Sequence, residues 1–178
     1  MPLALALVFA LLAPGARAAA PRPLEGHVVY VVDGDTIHVQ LADQIEKVRY
    51  IGVNTPEVPH AREHGERRAP RHLPHSVAAG EAAKRANWEL VAGQRVRLEL
   101  DQRRRDPHRR LLAYVWSGDT MVNAELVRRG YAEVMGVPPD FRHRALFVTL
   151  QAEACAAGRG LWGIPRAAAH PRACDKLR

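Results

Sequence analysis

Residues 31–57 read VVDGDTIHVQLADQIEKVRYIGVNTPE, and the fold is decided in this stretch. Two runs rich in β-branched and apolar residues, 27–32 and 36–41, flank Asp33-Gly34-Asp35, and a third, 45–53, follows a polar turn at Ala42-Asp43-Gln44. Short β-rich runs separated by turn residues predict a three-stranded meander. The polar residues left over fall at its junctions: Asp33 and Asp35 at one, Asn54, Thr55 and Glu57 at the other, with Arg49 inside the third run. Pro56 cannot donate to a ladder and holds Thr55 extended, so the chain leaves the sheet there. The two groups of carboxylates are thereby placed to converge at one end of the sheet. Oxygen donors of this kind suit a hard cation such as calcium or magnesium, not zinc. Taken singly, each feature has a plainer reading, since Asp-Gly is a common hairpin turn, Thr-Pro-Glu a common loop and a strand arginine a common solvated residue. Their conjunction is what points to a site.

Downstream, residues 58–79 break the pattern with Pro59, Pro70, Pro74, Gly65, four histidines and four arginines, and read as a long basic, His-rich surface loop. His60 and His64 have the spacing of helical metal ligands, but a helix does not fit these prolines, and added positive charge is the simpler role. Residues 80–91 predict a helix with Ala82, Ala83, Ala86, Trp88 and Leu90 available to one face, stopped by Gly93. Residues 95–100 alternate as a half-buried strand, 101–110 form a basic loop, and 111–116 make another strand. Asn123 is placed to cap a short helix ending at Gly130, and Asp140 to cap a second, whose Phe141, Ala145, Val148, Ala152 and Cys155 fall at helical spacing. Three strands, a helix, two strands and two helices make an α+β chain. Residues 164–178 are basic and aperiodic and read as a flexible tail.

Upstream, residues 1–20 have the form of a signal peptide: an apolar run from Leu3 to Leu12, then small residues around Ala16-Arg17-Ala18 and Ala18-Ala19-Ala20 as cleavage sites. The run is too short to span a bilayer, so an exported protein without stable membrane association is expected, periplasmic or secreted. About 160 residues remain after cleavage, enough for one domain. The net charge of +7 favours a polyanion such as nucleic acid as partner. Cys155 and Cys174 are the only cysteines. In an oxidising compartment they can pair, or Cys155 can serve as a buried small hydrophobe. Neither has the neighbours of a nucleophile.

Four ordered motifs together resemble the thermonuclease family, typified by staphylococcal nuclease. They are Asp33-Gly34-Asp35-Thr36, Arg49-Tyr50-Ile51-Gly52-Val53-Asn54-Thr55-Pro56-Glu57, Asp106-Pro107-His108-Arg109-Arg110-Leu111-Leu112-Ala113-Tyr114-Val115 and Met121-Val122-Asn123-Ala124-Glu125-Leu126-Val127-Arg128-Arg129-Gly130. The resemblance implies that the strands close into a five-stranded OB-type β-barrel with three helices, occupying residues 21–163. It also implies a calcium (Ca2+) site, other divalent metals being open, formed by the side chains of Asp35 and Asn54 and the backbone carbonyl of Thr55. Glu57 would be the general base, and Arg49 and Arg110 would clamp the scissile phosphate. Arg110 follows from counting back from Leu112-Ala113-Tyr114-Val115. Arg109 stays as the alternative, because His108-Arg109-Arg110 replaces the family's usual aromatic-Gly-Arg.

Asn54 stands where the type protein has a carboxylate, and Gly136 and Pro138 stand where it has tyrosines that line its nucleotide pocket. The expected function is that of an exported, metal-dependent endonuclease, a hydrolase of phosphodiester bonds in DNA with RNA left open, of little sequence preference and monomeric. The alternatives are a non-catalytic nucleic-acid-binding module of the same fold and an exported metal-binding protein working through its His-rich loop.

Overall fold

The strands β1 (Leu24–Val31), β2 (Thr36–Leu41) and β3 (Gln44–Tyr50) form the predicted antiparallel meander. This computed structural model describes residues 24–58, 77–136, 138–140 and 142–163. Ile37, Val39 and Val48 point inward and are fully buried, which fixes the register because a one-residue slip would turn them to solvent. After β3 the chain turns through Gly52, whose φ is +79°, into the two-residue strand β4 (Val53–Asn54). The third strand run of the sequence is therefore interrupted at Tyr50.

The helix α1 (Val77–Val91) leads to β5 (Arg95–Glu99), which pairs antiparallel with β1. β6 (Leu111–Ser117) pairs antiparallel with β5 and parallel with β3, and this last ladder closes the barrel of β1, β2, β3, β5 and β6. A short β7 (Thr120–Met121) extends β6, and α2 (Val122–Arg128), β8 (Glu133–Val134), α3 (Arg144–Ala156) and a 3-10 turn (Gly160–Gly163) complete the α+β chain. β8 pairs with β4 in a separate two-stranded ribbon. Five barrel strands and three α-helices match the expected architecture. Among the described residues no helix is long and apolar enough to cross a membrane.

Several local expectations are overturned by buried polar residues. Asn123 does not cap α2, whose N-terminus has no side-chain cap. Its Oδ1 accepts from the Val115 N–H at 2.9 Å and its Nδ2 donates to the Ile51 carbonyl at 2.9 Å, stitching β6 to the turn after β3. Asp140 does not cap α3 either; its carboxylate accepts from the backbone N–H and the Nε of Arg103 at 2.9 and 2.8 Å. α3 buries Phe147, Gln151 and Ala154, one residue out of phase with the expected face, because Gln151 turns inward to accept the Val134 N–H. On α1, Asn87 is buried where Trp88 was expected, and Trp88 is 59% exposed. Cys155 is disulfide-bonded, while Cys174, the other cysteine, lies outside the described residues. The signal peptide, most of the His-rich loop, Phe141 and the tail also lie outside them.

Asn123→Ala should leave a buried N–H and a buried carbonyl unpaired and lower stability by about 2–4 kcal/mol, read by denaturant unfolding. A loss under about 0.5 kcal/mol, the range of ordinary surface substitutions, would show that the stitch is dispensable.

Candidate active site

The Asp33-Gly34-Asp35 turn is rigid because its own side chains close it. The Asp33 carboxylate accepts the Asp35 N–H at 3.0 Å, and the Asp33 carbonyl accepts from Asn87 Nδ2 of α1 at 2.9 Å. Asn87 is in turn anchored by the Tyr50 hydroxyl, which donates to its Oδ1 at 2.8 Å. This network fixes the Asp35 carboxylate, which accepts from Thr36 Oγ1 at 3.1 Å and from the Thr55 N–H at 2.9 Å. Arg49 Nη1 lies 2.8 Å from Asp35 Oδ2 and also donates to the Val53 carbonyl, while Nη2 donates to Asn54 Oδ1 at 3.1 Å. Asp35, Arg49, Asn54 and Thr55, placed together by the sequence reading, thus form one hydrogen-bonded cluster.

Burial pushes the Asp35 carboxyl above its ordinary range, with Arg49 pulling the other way and Asp33 adding to the rise. A carboxylate so placed is one whose charged form a bound cation would favour. The side-chain oxygens of Asp35 and Asn54 converge on a single guanidinium, so the donors are hard, close and of low total charge. Among the described residues no group of three or more His, Cys, Asp or Glu side chains could hold a metal. A set of one carboxylate, one amide and one peptide carbonyl is compatible with that, and it fits calcium or magnesium better than a transition metal.

Two glycines let backbones meet here. A Cβ on Gly34 would come within 2.7 Å of Thr55 Oγ1 and 2.8 Å of Ala83 Cβ, and a Cβ on Gly80 within 2.4 Å of the Glu57 carbonyl oxygen. Gly80 therefore lies inside α1, not at its start, and allows the helix to press on the segment that bears Glu57. Pro56 and Val58 are buried to either side while Glu57 is exposed.

The parallel register of β3 and β6 sets Leu112 beside Arg49, which puts Arg110 two residues away in the same alternation. Arg49, Asp106, His108, Arg110, Leu112 and Met135 line one cleft of about 330 Å³. Arg110 is held by Asp106, whose carboxylate accepts its Nε at 2.7 Å and its backbone N–H at 2.9 Å. Burial alone would raise the Asp106 carboxyl, but these bonds hold it below its ordinary value. Arg109, at φ +64°, is exposed and does not line the cleft. The site thus offers two guanidinium groups to an anion beside a cluster of hard oxygen donors.

A family model described as staphylococcal nuclease homologue matches residues 47–163. The chain belongs to the staphylococcal nuclease family. The thermonuclease of Staphylococcus intermedius is 37% identical over 134 residues, covering 74% of this chain and 72% of that protein. The thermonuclease of Staphylococcus hyicus is 31% identical over 135 residues, covering 76% and 73%. The SPbeta prophage-derived endonuclease YokF of Bacillus subtilis is 33% identical over 135 residues, covering 74% of this chain and 41% of that protein. Within this staphylococcal nuclease homologue the matched segment holds Arg49, Asn54, Thr55, Glu57 and Arg110, and Asp35 precedes it.

Three residues at the site of this family member escaped the sequence reading. Asp106 had a legible signal in its four-residue spacing to Arg110. Asn87 had none, being a polar residue on an apparently apolar helix. Glu133 stands opposite Asn54 in the β4–β8 register, and burial raises its carboxyl to about 7. Only the ribbon brings those two together, and no local pattern announces it.

Gly80→Ala should displace the Glu57 segment and destabilise the fold by about 1–3 kcal/mol, measured by denaturant unfolding. Glu133 binds its proton more tightly folded than unfolded, so its stability contribution is intact below its ordinary value of 4.5 and is lost as pH rises toward about 7. Glu133→Gln should therefore melt like wild type at pH 4 and higher than wild type at pH 8. Equal melting temperatures at both would contradict the burial of this carboxyl.

Proposed function

We propose that this chain is an exported, metal-dependent endonuclease acting on DNA, with RNA as a second candidate substrate, and with little sequence preference. That it is a hydrolase of phosphodiester bonds follows from its family and from the thermonucleases and endonucleases it resembles. The observation that carries the finer reading is the convergence of Asp35 and Asn54 on Arg49, together with the cleft that Arg49 shares with Arg110.

The geometry supports the following roles. Asp35 and Asn54, with the Thr55 carbonyl, would hold calcium, which when bound neutralises phosphate charge and makes water easier to deprotonate. Arg49 and Arg110 present fork-shaped donors that match the oxygens of a phosphate and stay charged at every working pH. Asp106 keeps Arg110 aimed into the cleft. Arg49 is satisfied by Asp35, Asn54 and backbone carbonyls, so a phosphate must draw on its remaining donors or displace some of these bonds. Glu57 is exposed at the exit of the cluster, where it can accept a proton from the attacking water. A carboxylate is a weak base beside the oxygen nucleophile it must generate, so orienting that water is part of its work. Among the described residues lining the cleft no base-reading pattern is present, in keeping with relaxed sequence preference. Residues 1–20, read as a signal peptide, support export.

Hydrolysis of single-stranded and duplex DNA should require added calcium and stop with excess chelator. Glu57→Gln should lower the rate about 10²-fold or more without a change in melting temperature, and Arg49→Lys should also impair turnover because an ammonium cannot reproduce the fork. Full activity in Glu57→Gln would remove Glu57 from the chemistry. Salt-sensitive binding with no cleavage under any divalent metal would make the chain a binding module instead.

A further inference from the structure

The outer face of β1, β2 and β3 holds a feature that the catalytic roles leave unused. Along β2 and β3 the outward residues alternate with the buried Ile37, Val39 and Val48, and the register sets them in rows: Thr36 beside Arg49, His38 beside Lys47, Gln40 beside Ile45. β1 lengthens the middle row, because Tyr30 lies opposite His38. The side chains follow the backbone. The Tyr30 and His38 rings are 5.7 Å apart between centroids, and Lys47 is close enough to His38 to add to the lowering of its pKa by burial. From α1, Lys84 Nζ lies 5.8 Å from the Tyr30 ring centroid.

This row is open to solvent. Tyr30 is 56% exposed, and Val29 and Ile45 nearby are 51% and 59% exposed. Tyr30 meets His38 and Lys84 yet keeps 56% of its surface in solvent, and an exposed aromatic between two lysines matches what an unstacked base and its phosphate require. Its position is equally telling. The Lys47 row lies two residues from the Arg49 row on the same face, about 7 Å along the strand by the ordinary rise of a β-strand. That is roughly one nucleotide step from the phosphate that Arg49 would hold. At Arg49 the face is covered by the segment after β3, since Arg49 bonds the Val53 carbonyl, and toward Lys47 it opens.

We infer that Lys84, Tyr30, His38 and Lys47 form a stacking platform for the single-stranded nucleic acid that flanks the scissile phosphate. The inference rests on the nuclease reading for the phosphate at Arg49. It places the base contact on the barrel face, in a chain whose Gly136 and Pro138 supply no aromatic beside the cleft. A single strand is the occupant, not a duplex, because only an unpaired base offers its face to Tyr30. An acidic protein would meet the lysines but gain nothing from the ring.

The test is anisotropy of a labelled single-stranded 12-mer with the mature protein in chelator, beside calcium-dependent cleavage of the same oligonucleotide. Tyr30→Ala should weaken binding about fivefold or more, the usual worth of one stacked base, and Tyr30→Phe should restore it. Lys47→Ala should weaken binding and reduce the salt slope by about one. Arg159→Ala, a cation lost beside α3, should bind like wild type. In cleavage, Tyr30→Ala should raise KM with kcat nearly unchanged. Cleavage by wild type with unaltered binding in Tyr30→Ala and Lys47→Ala would overturn the platform and leave the nuclease standing. No cleavage by wild type, with the binding losses as expected, would refute the nuclease reading and leave the platform. Equal losses on duplex DNA or on polyglutamate would reduce the row to loose positive charge and overturn stacking.

Discussion

The buried pairing of Asp35 with Arg49 is the constraint on which the site depends. Neither charge could stay in this interior alone, because an unpaired buried ion costs several kcal/mol. The pairing is what lets a carboxylate and a guanidinium be held ready beneath the surface in the same few ångströms. Everything around it serves to keep it in place. The Asp33 turn is closed on itself, Asn87 ties that turn to α1, the Thr55 N–H docks on the carboxylate, and Asn54 takes the other end of the guanidinium. The same pairing leaves the site self-satisfied without a ligand. On the proposed reading, a phosphate and a cation arriving together would exchange one set of charge partners for another without any ion being stranded.

Much of this was legible in the chain. The meander around Asp33-Gly34-Asp35 and the break at Pro56 follow from local rules, and they place Asp35, Arg49, Asn54 and Thr55 correctly relative to one another. The family resemblance supplied the barrel closure and Arg110, which composition and periodicity do not contain. The failures share one cause. Asn123 and Asp140 read as helix caps, and Asn87 and Gln151 fall outside the expected apolar faces, yet all four are turned inward to satisfy backbone groups of distant segments. Local pattern treats polarity as exposure, whereas a buried amide that finishes a hydrogen-bond network follows the opposite rule. The partners of these residues lie up to 72 positions away, so no window along the chain could have exposed them.

Charge is distributed in keeping with this division. Glu125 pairs with Arg128 and Arg129, Glu99 with Arg142, and Glu46 with Arg105, so that much of the basic surface is internally balanced. Arg49 and Arg110 in the cleft are likewise paired, with Asp35 and Asp106, while Lys47 stands exposed on the barrel face beyond Arg49. A net charge of +7 is in this sense less informative than its placement.

The parallel ladder between β3 and β6 joins segments more than sixty positions apart, pairing Val48 with Leu111 and Arg49 with Leu112. Contacts of such separation are among the slowest for a chain to find, since a long loop must close before they reward it. The two arginines of the cleft sit on either side of that seam. A chain in which that seam has not formed can therefore own every residue of the candidate site and still lack the cleft that its two arginines line together. The arrangement of Arg49 and Arg110 in one cleft thus requires this seam to be closed, whatever else of the barrel has formed.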